Sequence, residues 1–169
     1  MLRCALITSV VLFASVARSQ AEPPLKPGDL VILECLSERE GNRYLAGRTK
    51  DGTVGLAPES GGEFTGTKWK VVTLDRGELG FECQGDVEGN RWLDGRTGDG
   101  TVGPAPKTGG DFTGTKWKVH DRGDGKVQLE CRGDVEGPRW LDGVRGDATV
   151  QLTRDRERSG THWKVKKVE

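Results

Sequence analysis

Glu82-Cys83, Gly89-Asn90-Arg91-Trp92-Leu93-Asp94, Asp99-Gly100-Thr101-Val102 and Gly114-Thr115-Lys116-Trp117-Lys118-Val119 follow one another in mid-chain. The same series stands earlier, as Glu34-Cys35, Gly41-Asn42-Arg43-Tyr44-Leu45, Asp51-Gly52-Thr53-Val54 and Gly66 to Val71. It returns later as Glu130-Cys131, Gly137-Pro138-Arg139-Trp140-Leu141 and Asp147-Ala148-Thr149-Val150. The step from Cys35 to Cys83 equals the step from Cys83 to Cys131, and the other members keep it. The last member of the third copy, Gly160-Thr161-His162-Trp163-Lys164-Val165, arrives two positions early, so that copy is shortened before its tryptophan. A fixed period of this size marks a repeat architecture, in which each copy is one supersecondary unit.

Each unit reads as four short strands. Val31, Leu33 and Cys35 alternate with Ile32 and Glu34. The copies place Leu79, Phe81, Cys83 and Val127, Leu129, Cys131 inward, against Glu82, Gln128 and Glu130 outward, and a period of two is the strand period. The second strand carries Arg-aromatic-Leu, and the third carries Val54 and Leu56 in the first copy. Asp51-Gly52 and Asp99-Gly100 between them are tight-hairpin signals, because such turns need positive φ. Asp147-Ala148 in the third copy is expected to strain or reshape that turn. Leu45, Leu93 and Leu141 and the unit-closing Trp69, Trp117 and Trp163 are expected to be buried together. Three such units are too few for a propeller. They fit a β-trefoil of three pseudo-symmetric four-stranded units, in which six strands make a short barrel and three hairpins cap it, with a β-prism as the runner-up.

Composition agrees with many turns and few helices: 26 glycines among 169 residues, with 33% hydrophobic and 31% charged residues. The formal net charge is zero, so no bulk electrostatic case exists for nucleic acid. Met1-Leu2-Arg3, the apolar run Cys4 to Val16 and the small residues of Ala17 to Ala21 predict a signal peptide over 1–21. A Pro-rich leader over 22–27 and a domain over 28–168 follow, with repeats at about 28–73, 74–119 and 120–168. The mature chain is expected to be secreted or periplasmic, monomeric, and not inserted in a membrane.

The motif Leu-x-Cys, Gly-x-x-aromatic-Leu and Asp-Gly-x-Val resembles the β-trefoil superfamily over nearly all of Lys26 to Val168, including growth-factor and fascin-type units. Trp92-Leu93-Asp94, Asp99-Gly100-Thr101-Val102 and Thr115-Lys116-Trp117 resemble a ricin-type lectin repeat. That resemblance implies a sugar-hydroxyl acceptor at the Asp after the second-strand Leu. Asp94 and Asp142 match it, and Ala46 does not. It also implies a third-strand Gln, which Gln151 matches and Gly55 and Gly103 do not. The stacking aromatic falls on Ala57, Ala105 and Thr153 and is missing, unless Trp92 and Trp140 lie outside and replace it. Asp142 with Gln151, at an exposed position in the third copy, is therefore the first candidate site, and Asp94 a poorer one.

Other motifs carry less. Gly98-Asp99-Gly100-Thr101-Val102-Gly103 has the dinucleotide spacing but spans a hairpin, so no cofactor is expected. Cys35, Cys83 and Cys131 end inward strand faces, and are read as small apolar residues before a metal site or a disulfide. Glu34, Glu82 and Glu130 are expected to pair with Arg43, Arg91 and Arg139 at the surface. Three Arg-Gly-Asp triplets, at Arg122, Arg132 and Arg145, belong to a chain rich in those residues. His120 and His162 recur in no other copy and have no nearby nucleophile, so no catalytic group and no metal is assigned. The expected function is a secreted, non-catalytic binding module for a glycan. The alternative is a protein-interaction or structural module, such as an inhibitor or cell-envelope component, whose partner is an extracellular protein.

Overall fold

The computed structural model describes residues 25–48 and 50–168, so the expected signal peptide and the start of the leader lie outside the described residues. Leu25, from the leader, is buried and joins the core, while the backbone N–H of Lys26 donates to Asp29 at 2.7 Å.

The strands follow the alternation: β1 (Leu30–Cys35), β2 (Tyr44–Arg48), β3 (Thr53–Ala57), β4 (Trp69–Thr73), β5 (Leu79–Cys83) and β6 (Trp92–Arg96). They continue as β7 (Thr101–Ala105), β8 (Trp117–Asp121), β9 (Lys126–Cys131), β10 (Trp140–Val144), β11 (Thr149–Thr153) and β12 (Trp163–Val168). A 3-10 turn precedes the closing tryptophan of each copy, at Thr65–Thr67, Thr113–Thr115 and Ser159–Thr161.

The pairing corrects the expected β-trefoil of four-stranded units. All pairs are antiparallel and join into one 12-stranded sheet. β11 bonds β3, through Thr149 opposite Gly55, and also β7, through Gln151 opposite Thr101. The path β3-β2-β1-β12-β9-β8-β5-β6-β7-β11 thus closes into a barrel of ten strands. β4 bridges β1 and β5, and β10 rests on β9 and β11. Pairings as long as the hairpins within each copy cross the repeat boundaries: β1 meets β12 from Leu30↔Val168 to Cys35↔Trp163, and β4 meets β5 from Trp69↔Cys83 to Thr73↔Leu79. A repeat is thus a unit of sequence and not a self-contained unit of hydrogen bonding. The all-β, threefold character common to the trefoil and prism expectations remains.

The core is built from the repeated residues. Leu45, Leu93, Leu141, Trp117 and Trp163 are fully buried and Trp69 is 1% exposed. Each indole N–H donates to the carbonyl of the leucine in its own copy, Trp69 to Leu45 at 2.9 Å, Trp117 to Leu93 at 3.0 Å and Trp163 to Leu141 at 3.1 Å. A buried indole therefore leaves no donor unsatisfied. In the hairpin turns Gly52 and Gly100 take φ of 63° and 81°, and Ala148 is held at 58° in the left-handed region, a strained conformation for a residue with a Cβ. Its carbonyl accepts from the Leu56 N–H at 2.9 Å, tying the third hairpin to the first.

Two expectations about strand faces are corrected. Ile32 is 7% exposed and Gln128 is fully buried, so the second face of β1 and β9 is covered as well. The Gln128 amide nitrogen donates to the Arg156 carbonyl at 2.6 Å and to Thr161 Oγ1 at 2.9 Å, and its oxygen accepts from Arg122. This network pins the shortened loop of the third copy. The expected carboxylate–arginine pairs hold only in the first copy, where Arg43 lies 3.4 Å from Glu34. Arg91 and Arg139 instead donate to loop carbonyls, of Cys83, Gly85 and Val87 and of Cys131, Gly133 and Val135. Glu130 pairs with His120 at 2.8 Å and Arg132 at 2.7 Å.

Candidate functional site

The same local geometry makes a cavity three times. The residue after the second-strand leucine looks across to the 3-10 turn of its own copy, and the loop after the first strand of the following copy forms the third wall. Glycines allow the close approach. A Cβ on Gly47, Gly95 or Gly143 would come within 2.7–2.9 Å of a cysteine sulfur. The three thiols lie behind these floors and do not meet one another. Cys131 donates to the carbonyls of Gly95 and Gly114 at 3.2 and 3.4 Å, Cys83 to those of Gly47 and Gly66, and Cys35 to those of Gly143 and Gly160. All three are free and buried, and burial pushes the Cys131 thiol up to about 11. Such thiols are poor nucleophiles and poor metal ligands. Among the described residues no group of three His, Cys, Asp or Glu is placed to hold a metal.

The cavities are alike in place and unlike in chemistry. The first, about 250 Å³, is lined by Ala46, Pro58, Phe64 and Val87 together with the charged Arg48, Lys50 and Glu63. The second, about 310 Å³, is lined by Asp94, Arg96, Asp111, Phe112 and Val135. The third, about 250 Å³, is lined by Ser37, Arg39, Asp142, Arg158 and Ser159. Ala46, Asp94 and Asp142 are equivalent, as are Phe64, Phe112 and Arg158, and Val87, Val135 and Arg39.

Asp142 is where the two candidate residues of the third copy meet. The Gln151 amide donates to Asp142 Oδ2 at 3.1 Å across the β10–β11 pair. Arg158 stands 3.5 Å from the same oxygen, and Asp142 is only 2% exposed, which corrects its expected exposure. Asp94 is different. It is half-buried and has neither a hydrogen bond nor an ion pair among the described residues. Gly103 stands opposite it where Gln151 faces Asp142. Burial pushes the Asp94 carboxyl above its ordinary 3.8, and Arg96 offsets only part of that. Its Oδ1 lies over Gly114, where an added Cβ would stand 2.6 Å away.

The apolar wall that the third strand lacks comes from the loop before the 3-10 turn. Phe112 is half-buried and faces the cavity of Asp94. The clue was present in Phe64 and Phe112, which recur at the repeat period and give way to Arg158 in the shortened copy. Trp92 and Trp140 line none of these cavities. Trp140 packs on His120 with ring centroids 5.0 Å apart.

No protein-family model matches the sequence, and no curated protein does. Solved structures do. A designed 3-fold symmetric protein, ThreeFoil, is similar at 23% identity and a TM-score of 0.60, over 80% of this chain and 96% of that one. A salivary protein of the cysteine and tryptophan-rich family from Culex quiquefasciatus is similar at 18% identity and a TM-score of 0.62, over 84% of this chain and 95% of that one. An endo-β-galactosidase from Clostridium perfringens that releases GlcNAcα1-4Gal is similar at 13% identity and a TM-score of 0.64. In that case 83% of this chain matches only 33% of the other. At these identities the likeness shows the fold alone, a threefold-repeat β fold.

Proposed function

We propose that the protein is a secreted, non-catalytic binding module and that its preferred ligand is a glycan, held at Asp94. The single observation that carries this reading is a half-buried carboxylate with no hydrogen bond or ion pair among the described residues, in a cavity lined by Phe112. Partial burial already penalises the charge on this carboxylate, and a ligand that donates to it offsets that cost. A sugar supplies what is missing: hydroxyl donors for the two carboxylate oxygens and a C–H face for the phenyl ring. Arg96 and Thr113 border the same cavity and can meet further hydroxyls. The match to a galactosidase chain lends support by fold only. A lone monosaccharide on one carboxylate and one ring would bind weakly, with Kd of about 1 mM.

Titration of the protein with galactose and glucose, read by amide NMR shifts, tests this. Shifts of Gly95, Phe112 and Thr113 that vanish in Asp94→Asn are expected. Identical shifts in that variant, or none in the wild type, would remove the glycan reading. The protein-interaction alternative would then lead, because Val87 and Val135, at 48% and 60%, are the large apolar side chains most exposed among the described residues. Each stands at the mouth of one cavity.

A further inference from the structure

The third cavity has exchanged its apolar wall for cations. Arg158 stands where the other copies have Phe64 and Phe112, Arg39 where they have Val87 and Val135, and Arg145 where the second has Thr97. Two of these, Arg39 and Arg158, line the cavity and replace apolar residues, and Arg145 lies behind them without lining it. Arg145 is 8% exposed and faces no carboxylate within ion-pair distance among the described residues. It donates to the carbonyls of Ser37 at 2.7 Å and Gly41 at 3.1 Å, and its Nε has no partner. It therefore holds, and adds positive charge beneath, the loop that carries Arg39. Arg39 has no hydrogen bond or ion pair among the described residues, and Glu38 and Glu40 beside it do not line the cavity. Arg158 meets Asp142 through Nη1 only, at 3.5 Å, which leaves the rest of its fork open. On the opposite side, the Gln128 network fixes the loop from Arg156 to Thr161.

We propose that this third cavity is a site for an acidic saccharide, one whose sugar ring bears a carboxylate. The proposal rests on the glycan reading above and adds a second site of different specificity. The ligand carboxylate would lie between the Arg39 and Arg158 guanidiniums, which match it in shape and charge. A ring hydroxyl would donate to Asp142, whose carboxylate is already oriented by Gln151. The equivalent cavities would then differ at the residue after the second-strand leucine and at the wall facing it: Ala46 with Phe64, Asp94 with Phe112, and Asp142 with Arg158.

Glucuronate, glucose and sodium sulfate titrated separately against the whole protein test the proposal. Glucuronate is expected to shift the amides of Ser37, Gly143, Ser159 and Gly160, with glucose leaving them still. Arg39→Gln, a change at an exposed side chain with no partner, should weaken glucuronate about tenfold without altering the dispersion of the spectrum. Arg158→Gln should do the same. Equal response to glucose, or unchanged affinity in Arg39→Gln, overturns the proposal. Sulfate binding as tightly as glucuronate overturns the saccharide ligand. Neither result touches the Asp94 amides, where a neutral sugar reports on the glycan reading separately.

Discussion

Asp94 and Asp142 occupy the same place in successive copies of one motif, and they have opposite circumstances. Asp142 is buried against Gln151 and Arg158, a carboxylate with one oxygen, Oδ2, already engaged by its own protein. Asp94 has Gly103 where the glutamine stands and Phe112 where the arginine stands, so its oxygens remain unused. A matching residue in a matching position does not settle whether it is available to a ligand. Availability is set by what stands across the strand pair and across the cavity.

The comparison would collapse if the shared scaffold beneath the two sites were not equivalent. Trp117→Ala and Trp163→Ala each remove a fully buried indole under one of them. Each should cost about 3–5 kcal/mol, a large part of a marginal total. Thermal or urea unfolding checks this, and a variant melting within a couple of degrees of wild type would show that the tryptophan is not a core residue.

Next in size is Asp142→Ala. It leaves the Gln151 amide and the partly exposed Arg158 without their acceptor. A loss of about 1–3 kcal/mol is expected for the buried hydrogen-bonding partner, with little from the exposed arginine. Urea unfolding should show that loss, and a change below about 0.5 kcal/mol would mean that the residue behaves as a surface group.

The opposite sign is expected at Asp94. A carboxyl whose folded pKa is raised contributes stability below its unfolded pKa, and that contribution is lost as pH rises through the folded value. At neutral pH the charged, unpartnered Asp94 is thus a liability. Asp94→Asn should raise the midpoint of urea unfolding at pH 7, with the gain shrinking as pH falls through the raised folded value and gone below the ordinary carboxylate range. A lower midpoint at pH 7 would point to a partner that holds the charge in place.

The smallest effect concerns the thiols. Cys83 and Cys131 flank the floors of two cavities and are held above the ordinary thiol range, chiefly by burial. Thiol reagents should label them slowly in the native protein and fully after denaturation. Fast native labelling of both would mean that the floors open, and the contrast between the cavities would lose its rigid frame.

Much of this was legible in the sequence, for identifiable reasons. The constant repeat period and the alternation of Val31, Leu33 and Cys35 carried the strands and the buried Leu–Trp sets, because burial of one strand face writes itself as period two. Alternation states which face a residue occupies and says nothing about which strand lies beside it. The pairing of β1 with β12 and the closure of β11 on β7 were therefore out of reach, and the expected six-stranded barrel with three hairpin caps gave way there to one of ten strands. Gln128 was misread because its outer face is covered by the distant loop at Arg156, a contact that leaves no mark on β9 itself. At the candidate site, Asp94, Asp142 and Gln151 were readable from position. Phe112 was not, since it lies on a loop where no strand register applies, and it was marked only by its recurrence with Phe64 at the repeat period and the change to Arg158 in the third copy.

The most direct measurement is a calorimetric titration of galactose at neutral pH into the wild type, Asp94→Asn and Asp142→Asn, side by side. Both changes keep the side-chain shape and remove one charge. Binding is expected to disappear in Asp94→Asn and to persist in Asp142→Asn within about twofold of wild type. Loss in Asp142→Asn with retention in Asp94→Asn would contradict the account, because the carboxylate its own protein already satisfies would then be the one that holds the sugar.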